Sequence, residues 1–235
     1  MSNKVSLHEA WSGAADCRQC ELRNSALFAG LEESDFETIH DPISQTSLQA
    51  GESLYRAGEQ GSRLFTLRHG LIKLVRYLPD GTQRIVRLVR SSDVIGLEIL
   101  LDQPYEHDAL AMQPCEICSL PVQVVRNLSQ QNPALHKELL NRWQRALSDA
   151  DAWLTELSTG SARLRVARLI LRLSTEDSGQ PECSLFARED LGAMLGITTE
   201  TASRTIAEFK RQGWLRELGS NRFGVDVQAL ESAIT

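Results

Sequence analysis

The spacing of hydrophobic residues changes twice along the chain, and each change marks a different kind of element. From about residue 47 to 121, short apolar runs (SLYRAG, LFTLRHG, LIKLVRYLPDG, RIVRLVRSSD) are punctuated by Gly51, Gly58, Gly61, Gly70, Gly81 and Gly96. Pro79-Asp80-Gly81 is a strong turn signal between two such runs. This rhythm predicts short strands in a β-roll or barrel with a Leu, Ile and Val core, which can hold a small ligand or be filled by side chains. From Pro133 the apolar residues shift to a spacing of three and four. Leu140, Trp143, Leu147, Ala150, Leu154 and Leu157 follow it for nearly three heptads, the seam of a coiled coil. A seam of that length has little use inside one domain, so it predicts a homodimer axis.

Gly160-Ser161 breaks this helix, and a second amphipathic helix over 162–174 leads to the stretch REDLGAMLGITTETASRTIAEFKRQG at 188–213. That stretch predicts a short helix, a tight turn at Gly196, and a longer helix capped by Thr198. On the longer helix Ala202, Ile206 and Phe209 share one stripe and must face a core. Glu200, Ser203 and Arg204 lie on the opposite side. An acceptor, a hydroxyl and a guanidinium near the N-terminus of such a helix suit the edges of bases in a major groove. WLRELGSNRFGV then predicts a hairpin turning at Gly219-Ser220-Asn221, a wing whose Arg216 and Arg222 meet phosphate. Thr199 and Lys210 complete the expected contacts to the DNA backbone. Residues 226–235 predict a terminal helix.

Composition sharpens this reading in two ways. The 235 residues, 42% hydrophobic, suffice for one large or two modest domains. The net charge of −6 argues at first against nucleic acid. Residues 1–159 carry 15 basic against 21 acidic side chains, whereas 160–224 carry 10 against 8. A basic surface must therefore be local, around Arg204, Lys210, Arg211, Arg216 and Arg222. So small a footprint binds weakly as a single copy and needs a dimer. No apolar run approaches a membrane span, and the first residues lack the apolar core of a signal peptide, so a cytoplasmic protein is expected. There is no Walker loop, nucleophile elbow or H-E-x-x-H, which disfavours an enzyme. A ligand-binding β-roll without DNA binding would leave the helix pair and the seam unexplained.

Two CxxC pairs, Cys17/Cys20 and Cys115/Cys118, supply four thiolates 95 residues apart. Four thiolates match a [4Fe–4S] cluster, a [2Fe–2S] cluster or a structural zinc, and two pairs also suit a thiol–disulfide switch. Positions i and i+3 of an ideal strand face opposite sides. Cys115 therefore converges with Cys118 only if Pro114-Cys115 lies in a turn. Cys183, in GQPECSLF, has no cysteine near it in sequence and reads as structural.

The order of parts resembles the Crp/Fnr family of bacterial transcription regulators over almost the whole chain. The cysteine-bearing N-terminus and the E-x-x-S-R of the second helix look most like its Fnr branch. The resemblance implies an α+β fold: a cyclic-nucleotide-binding-like β-roll (31–132) after a cysteine-bearing extension (1–30), a dimerisation helix (133–159) and a winged helix-turn-helix (160–235). It implies a homodimer in which Glu200, Ser203 and Arg204 read a TTGAT-type half-site of an inverted repeat in double-stranded DNA. It also implies an oxygen-labile [4Fe–4S] cluster and, in an activator, contact with RNA polymerase.

Three departures from the family pattern modify these expectations. The third N-terminal cysteine of the Fnr pattern would fall near Ala26, which cannot ligate. Cys118, in C-S-L-P, matches the family's late cysteine and Cys115 is extra, so Cys115 is expected to replace the missing ligand. The residues that would hold a cyclic nucleotide are Gly96-Leu97-Glu98 and Glu106-His107, with a carboxylate where a phosphate needs a cation, so no cyclic nucleotide is expected. The acidic residue that Fnr proteins carry on the dimer seam corresponds to Ala150, flanked by Asp149 and Asp151. Flanking charges reach water and repel weakly. The chain is thus expected to dimerise without its cluster and to switch DNA binding by reorientation.

Overall fold

A computed structural model describes residues 44–177 and 180–234. Cys17 and Cys20, with the whole expected extension at 1–30, lie outside the described residues. The described chain divides into two units, 44–76 with 87–148 and 77–86 with 149–234.

In the first unit the glycine-punctuated runs form the expected strands, β1 (Ser44–Leu48), β2 (Ser53–Tyr55), β3 (Arg63–His69), β4 (Ile72–Tyr77), β5 (Gln83–Val89), β6 (Val94–Ile95), β7 (Asp108–Ala111) and β8 (Cys115–Pro121). They assemble into two four-stranded sheets of order β1-β8-β3-β6 and β2-β7-β4-β5. The sheets meet where Phe65 of β3 approaches Tyr55 of β2, with ring centroids 5.7 Å apart, and Tyr105, which stacks on Tyr55 at 4.0 Å. The Tyr105 hydroxyl donates to the Arg63 carbonyl at 2.7 Å, satisfying a polar atom that this aromatic group would otherwise bury. Strand β3 is central and buried on both faces: Leu64, Phe65, Thr66 and Leu67 are all buried. That explains why its sequence reads as a continuous apolar run rather than an alternation.

Two helices follow, α1 (Val122–Gln131) and α2 (Pro133–Ala152). Pro133 suits the first helical turn, where its missing N–H costs nothing, and the Asn132 side chain accepts from the amides of Ala134 and Leu135. Leu135, Leu139 and Arg142 form the buried side of α2. Arg142 donates to Glu138 at 2.6 Å and to the carbonyl of Ser92, so its buried charge is fully engaged. One turn of π-helix, Trp153–Leu157, ends the long helix. No helix among the described residues is long and apolar enough to cross a membrane.

The second unit begins with α3 (Ala162–Leu173), started as expected by Gly160 at φ 85° and by the Ser161 hydroxyl, which accepts from the Leu164 amide. Strands β9 (Thr175–Asp177) and β10 (Gln180–Ser184) precede α4 (Arg188–Leu195) and α5 (Thr199–Arg211). The wing, β11 (Leu215–Gly219) and β12 (Arg222–Val225), is completed by the terminal α6 (Val227–Ile234). Strand β10 was not legible in the sequence. It pairs with β12 and puts Cys183 opposite Phe223, extending the wing to a sheet of order β11-β12-β10-β9.

Candidate nucleic-acid interface and thiol site

The helix pair α4–α5 is built as its sequence dictates. Gly196 ends α4 in the left-handed conformation, φ 63°, which favours a residue without Cβ. Gly192 is needed for a different reason: a Cβ there would sit 2.7 Å from the Ile197 carbonyl, so the turn closes only on glycine. The Thr198 hydroxyl accepts from the Thr201 amide at 3.1 Å and caps α5. Ala202, Thr205, Ile206 and Phe209 are buried, fixing the helix by one side. Glu200, Ser203 and Arg204 are exposed on the other, as predicted. Arg204 Nε lies 3.8 Å from Glu200 Oε1, with both side chains more than two-thirds exposed. A pair that open contributes little, so exchanging it for base edges costs little.

The residues expected to meet phosphate surround this helix in sequence and structure. Thr199 is exposed in its first turn. Lys210 in the last turn holds Glu217 of β11 at 2.6 Å, and Arg222 of β12 holds Glu182 of β10 at 3.1 Å. Arg216 is exposed on β11. Each cation thus lies on the solvent side of the helix or wing, and its acidic neighbours are exchangeable at the surface.

Along α2, Leu140, Trp143 and Leu147 stay 56%, 37% and 57% exposed, on a stripe that flanks the buried Leu135 and Leu139. Ala150 and Leu154 are also exposed, but Leu157 is not: it is fully buried. The reason is the π-turn, which spends an extra residue per turn and rotates the chain out of the three-and-four phase. Leu157 therefore belongs to the core of the second unit, not to the seam.

The late cysteines do not converge. Both lie in β8, paired without interruption to β1 from Ser44↔Ser119 to Leu48↔Cys115, so no turn intervenes at Cys115. Cys115, Ile117 and Ser119 share one face with Phe65 and Leu67 of β3, the face toward the second sheet. Cys118 shares the other face with Thr66 and Gln45, its partners in register. Cys115 is buried and its thiol donates to the carbonyls of Gln113 at 3.1 Å and Leu71 at 3.5 Å, while burial pushes its ionisation upward. Cys118 is only half-buried. Cys183 is structural, as expected: burial pushes its thiol up to about 12. Among the described residues no three His, Cys, Asp or Glu side chains gather around one point.

The roll encloses a cavity of about 160 Å³, lined by Tyr55, Arg87, Glu98, Glu106, His107 and Trp143 among others. Glu98 accepts from the Glu106 amide at 3.1 Å. A cation does reach this cavity, although Glu106 stands where a phosphate would need one: Arg87 arrives from β5, far from Gly96-Leu97-Glu98 and Glu106-His107 in the strand order. Burial, followed by the charge of Arg76, lowers the pKa of His107.

Comparison with known proteins agrees with this division of parts. Residues 45–132 match the cyclic nucleotide-binding domain family and residues 164–233 the Crp-like helix-turn-helix domain family. The chain is 26% identical over 211 residues to the transcriptional activator protein anr of Pseudomonas aeruginosa, covering 87% of this chain and 86% of that one. It is 25% identical over 219 residues to the fumarate and nitrate reduction regulatory protein of Vibrio cholerae, covering 90% and 88%. Among solved structures it is similar to FixK2 from Bradyrhizobium japonicum, with a TM-score of 0.73 and 22% identity over 81% of this chain and 96% of that one. A Crp-family transcriptional regulator of Thermus thermophilus superposes with a TM-score of 0.69 and 25% identity over 80% and 96%.

Proposed function

The chain belongs to the Crp/Fnr family of DNA-binding transcription regulators, and from that premise we propose that it is an Fnr-like redox sensor that reads an inverted repeat as a homodimer. It is a regulator and not an enzyme, as its relatives are. The observation that carries the proposal is α5, buried along Ala202, Ile206 and Phe209 while Glu200, Ser203 and Arg204 stand free of the core. In a major groove Arg204 grips a guanine edge through two bonds, Glu200 accepts from a cytosine amine, and Ser203 adapts to either. Thr199, Lys210, Arg216 and Arg222 fix the register on phosphate. The half-site is of the TTGAT type, and two copies meet along Leu140, Trp143, Leu147, Ala150 and Leu154.

The sensor is an iron–sulfur cluster of the [4Fe–4S] type, held by Cys17, Cys20 and cysteine from β8. The residues near β8 fit such a group: Cys118 is half-accessible, and the Thr66 hydroxyl across from it is buried with no hydrogen-bond partner among the described residues. When bound, a cluster would supply a centre that oxidants destroy, with Cys17, Cys20 and cysteine from β8 as the residues that would hold it. Ala150 in the seam, with Asp149 3.4 Å from the Arg172 guanidinium, leaves little repulsion to separate the protomers once the cluster is gone.

Iron, sulfide and zinc analysis with absorption spectra on anaerobically purified protein tests the sensor. About four irons and four sulfides per chain, bleached by air, is the expected result. Stoichiometric zinc, or no metal, overturns the cluster and leaves thiol chemistry as the signal.

A further inference from the structure

Resting on the DNA-binding reading above, we propose that Arg84, from the hairpin of β4 and β5, grips a backbone phosphate of the duplex beside the first turn of α5.

Residues 77–86 belong to the second unit, together with the helix-turn-helix and the wing. Their turn is fixed by its own hydrogen bonds. The Leu78 amide donates to the Thr82 carbonyl, the Gly81 amide to the Leu78 carbonyl, and the Thr82 amide to Asp80 Oδ1, each at 2.9 Å. Arg84 is thus presented from a defined piece of backbone. Its guanidinium lies against Gly196, the residue that joins α4 to α5. A Cβ added there would collide with Arg84 Nη1 and lie 3.0 Å from its Cζ. Gly196 therefore serves twice, for its left-handed turn and as space for this cation.

Arg84 is also uncommitted, which sets it apart from the arginines of α3. Arg163 holds Glu208 at 2.8 Å and Arg172 holds Glu156 at 3.1 Å. Arg165 donates to the Leu195 carbonyl and Arg168 to the Thr159 carbonyl. Arg84 is half-buried, yet it makes no hydrogen bond or ion pair among the described residues. A phosphate offers two oxygens to the planar guanidinium fork, in bonds strengthened by charge on both partners.

The surroundings place such a phosphate on the DNA. Arg84 shares a cavity of about 810 Å³ with Thr198, Thr199 and Thr201. Thr199 and Thr201 bracket Glu200, so this cavity adjoins the proposed base-reading face. Thr199 is itself a proposed phosphate contact, and Arg84 adds the charge that a threonine hydroxyl lacks. Asp80 and Glu189 line the same cavity. Their carboxylates oppose a phosphate, so removing one should act in the opposite sense to removing Arg84.

The test is fluorescence anisotropy of the anaerobically purified full chain on a TTGAT-type inverted repeat and on a scrambled duplex, across a range of salt. Wild type, Arg84→Gln, Arg84→Lys and Asp80→Asn are compared, with circular dichroism and thermal melts as the check of folding. Arg84→Gln is expected to weaken binding to both duplexes alike, about fivefold per copy, with the salt slope lower by about one per copy. Arg84→Lys keeps the charge and should keep the slope. Asp80→Asn keeps an acceptor for the Thr82 amide and should bind both duplexes more tightly. The assignment is overturned if folded Arg84→Gln retains the wild-type slope, or loses preference between the duplexes instead of affinity for both. Tighter binding by Arg84→Gln overturns it as well, and makes the hairpin an obstruction to DNA. Wild-type protein that binds the two duplexes equally overturns the inverted-repeat reading instead, and the slope of Arg84→Gln on either duplex still decides the role of Arg84.

Discussion

Arg204 and Lys210 stand six residues apart on one helix, yet their loss should be felt differently. If Arg204 reads a base edge as proposed, Arg204→Ala removes a bidentate contact and should cost about 1–3 kcal/mol, relaxing preference at one position of the half-site. Lys210→Ala would remove a proposed phosphate contact; binding should weaken on every duplex, with the salt slope lower by about one. Fluorescence anisotropy on matched and single-mismatch duplexes at several salt concentrations separates the two. His107 makes a second prediction at this scale. Its pKa is lowered in the fold, first by burial and then by Arg76, so protons prefer the unfolded chain. Stability is intact above the unfolded value of about 6.5 and falls as pH drops from there toward the folded value. Thermal melts between pH 8 and 5 should show a decline that His107→Gln reduces. Single residues also mark where the sequence was insufficient. The spacing of Cys115 and Cys118 says that two thiols are near in chain, but only the strand and its register say that they face apart.

Among the elements, α5 was almost entirely legible, because a cap, a glycine turn and an amphipathic stripe all specify the same structure. The apolar stripe expected to form the seam stays exposed down to Leu154, whereas Leu157 is buried, since a periodic pattern carries no sign of a π-turn. Strand β10 was missed because its run of Gln, Pro, Glu, Cys and Ser lacks β-branched or aromatic residues. Mutation should divide the long helix accordingly. Leu147→Glu puts a charge on an exposed apolar stripe and should yield monomers by sedimentation, with the melting temperature little changed. Leu157→Ala opens a cavity in the second unit and should cost about 2–5 kcal/mol of its stability, while association of the folded protein persists. Cluster-free wild type should sediment as a dimer, because Ala150 is neutral and Asp149 is engaged by Arg172. A purely monomeric apo-protein would refute that account of the seam.

At the scale of the molecule, the arrangement reconciles an acidic chain with a DNA-binding role. The net charge of −6 is spread mostly over residues before 160, while the reading helix and wing carry their own cations. A footprint this small gives modest affinity per copy, and on the proposed inverted repeat the pairing of two copies would multiply it through effective concentration. The order of roll, long helix and winged helix-turn-helix was written in the change of hydrophobic period. The lining of the roll was not, because Arg87 and Glu98 reach one cavity only once the strands are folded.

The most direct measurement is the affinity of anaerobically purified protein for a TTGAT-type inverted repeat and for a scrambled duplex at near-physiological salt, repeated after exposure to air. The account predicts that the repeat is bound at least about a thousandfold more tightly than the scrambled sequence. It also predicts that air removes most of that difference while the protein stays folded. Equal affinity for the two duplexes, or a preference indifferent to air and to Cys118→Ser, would contradict it.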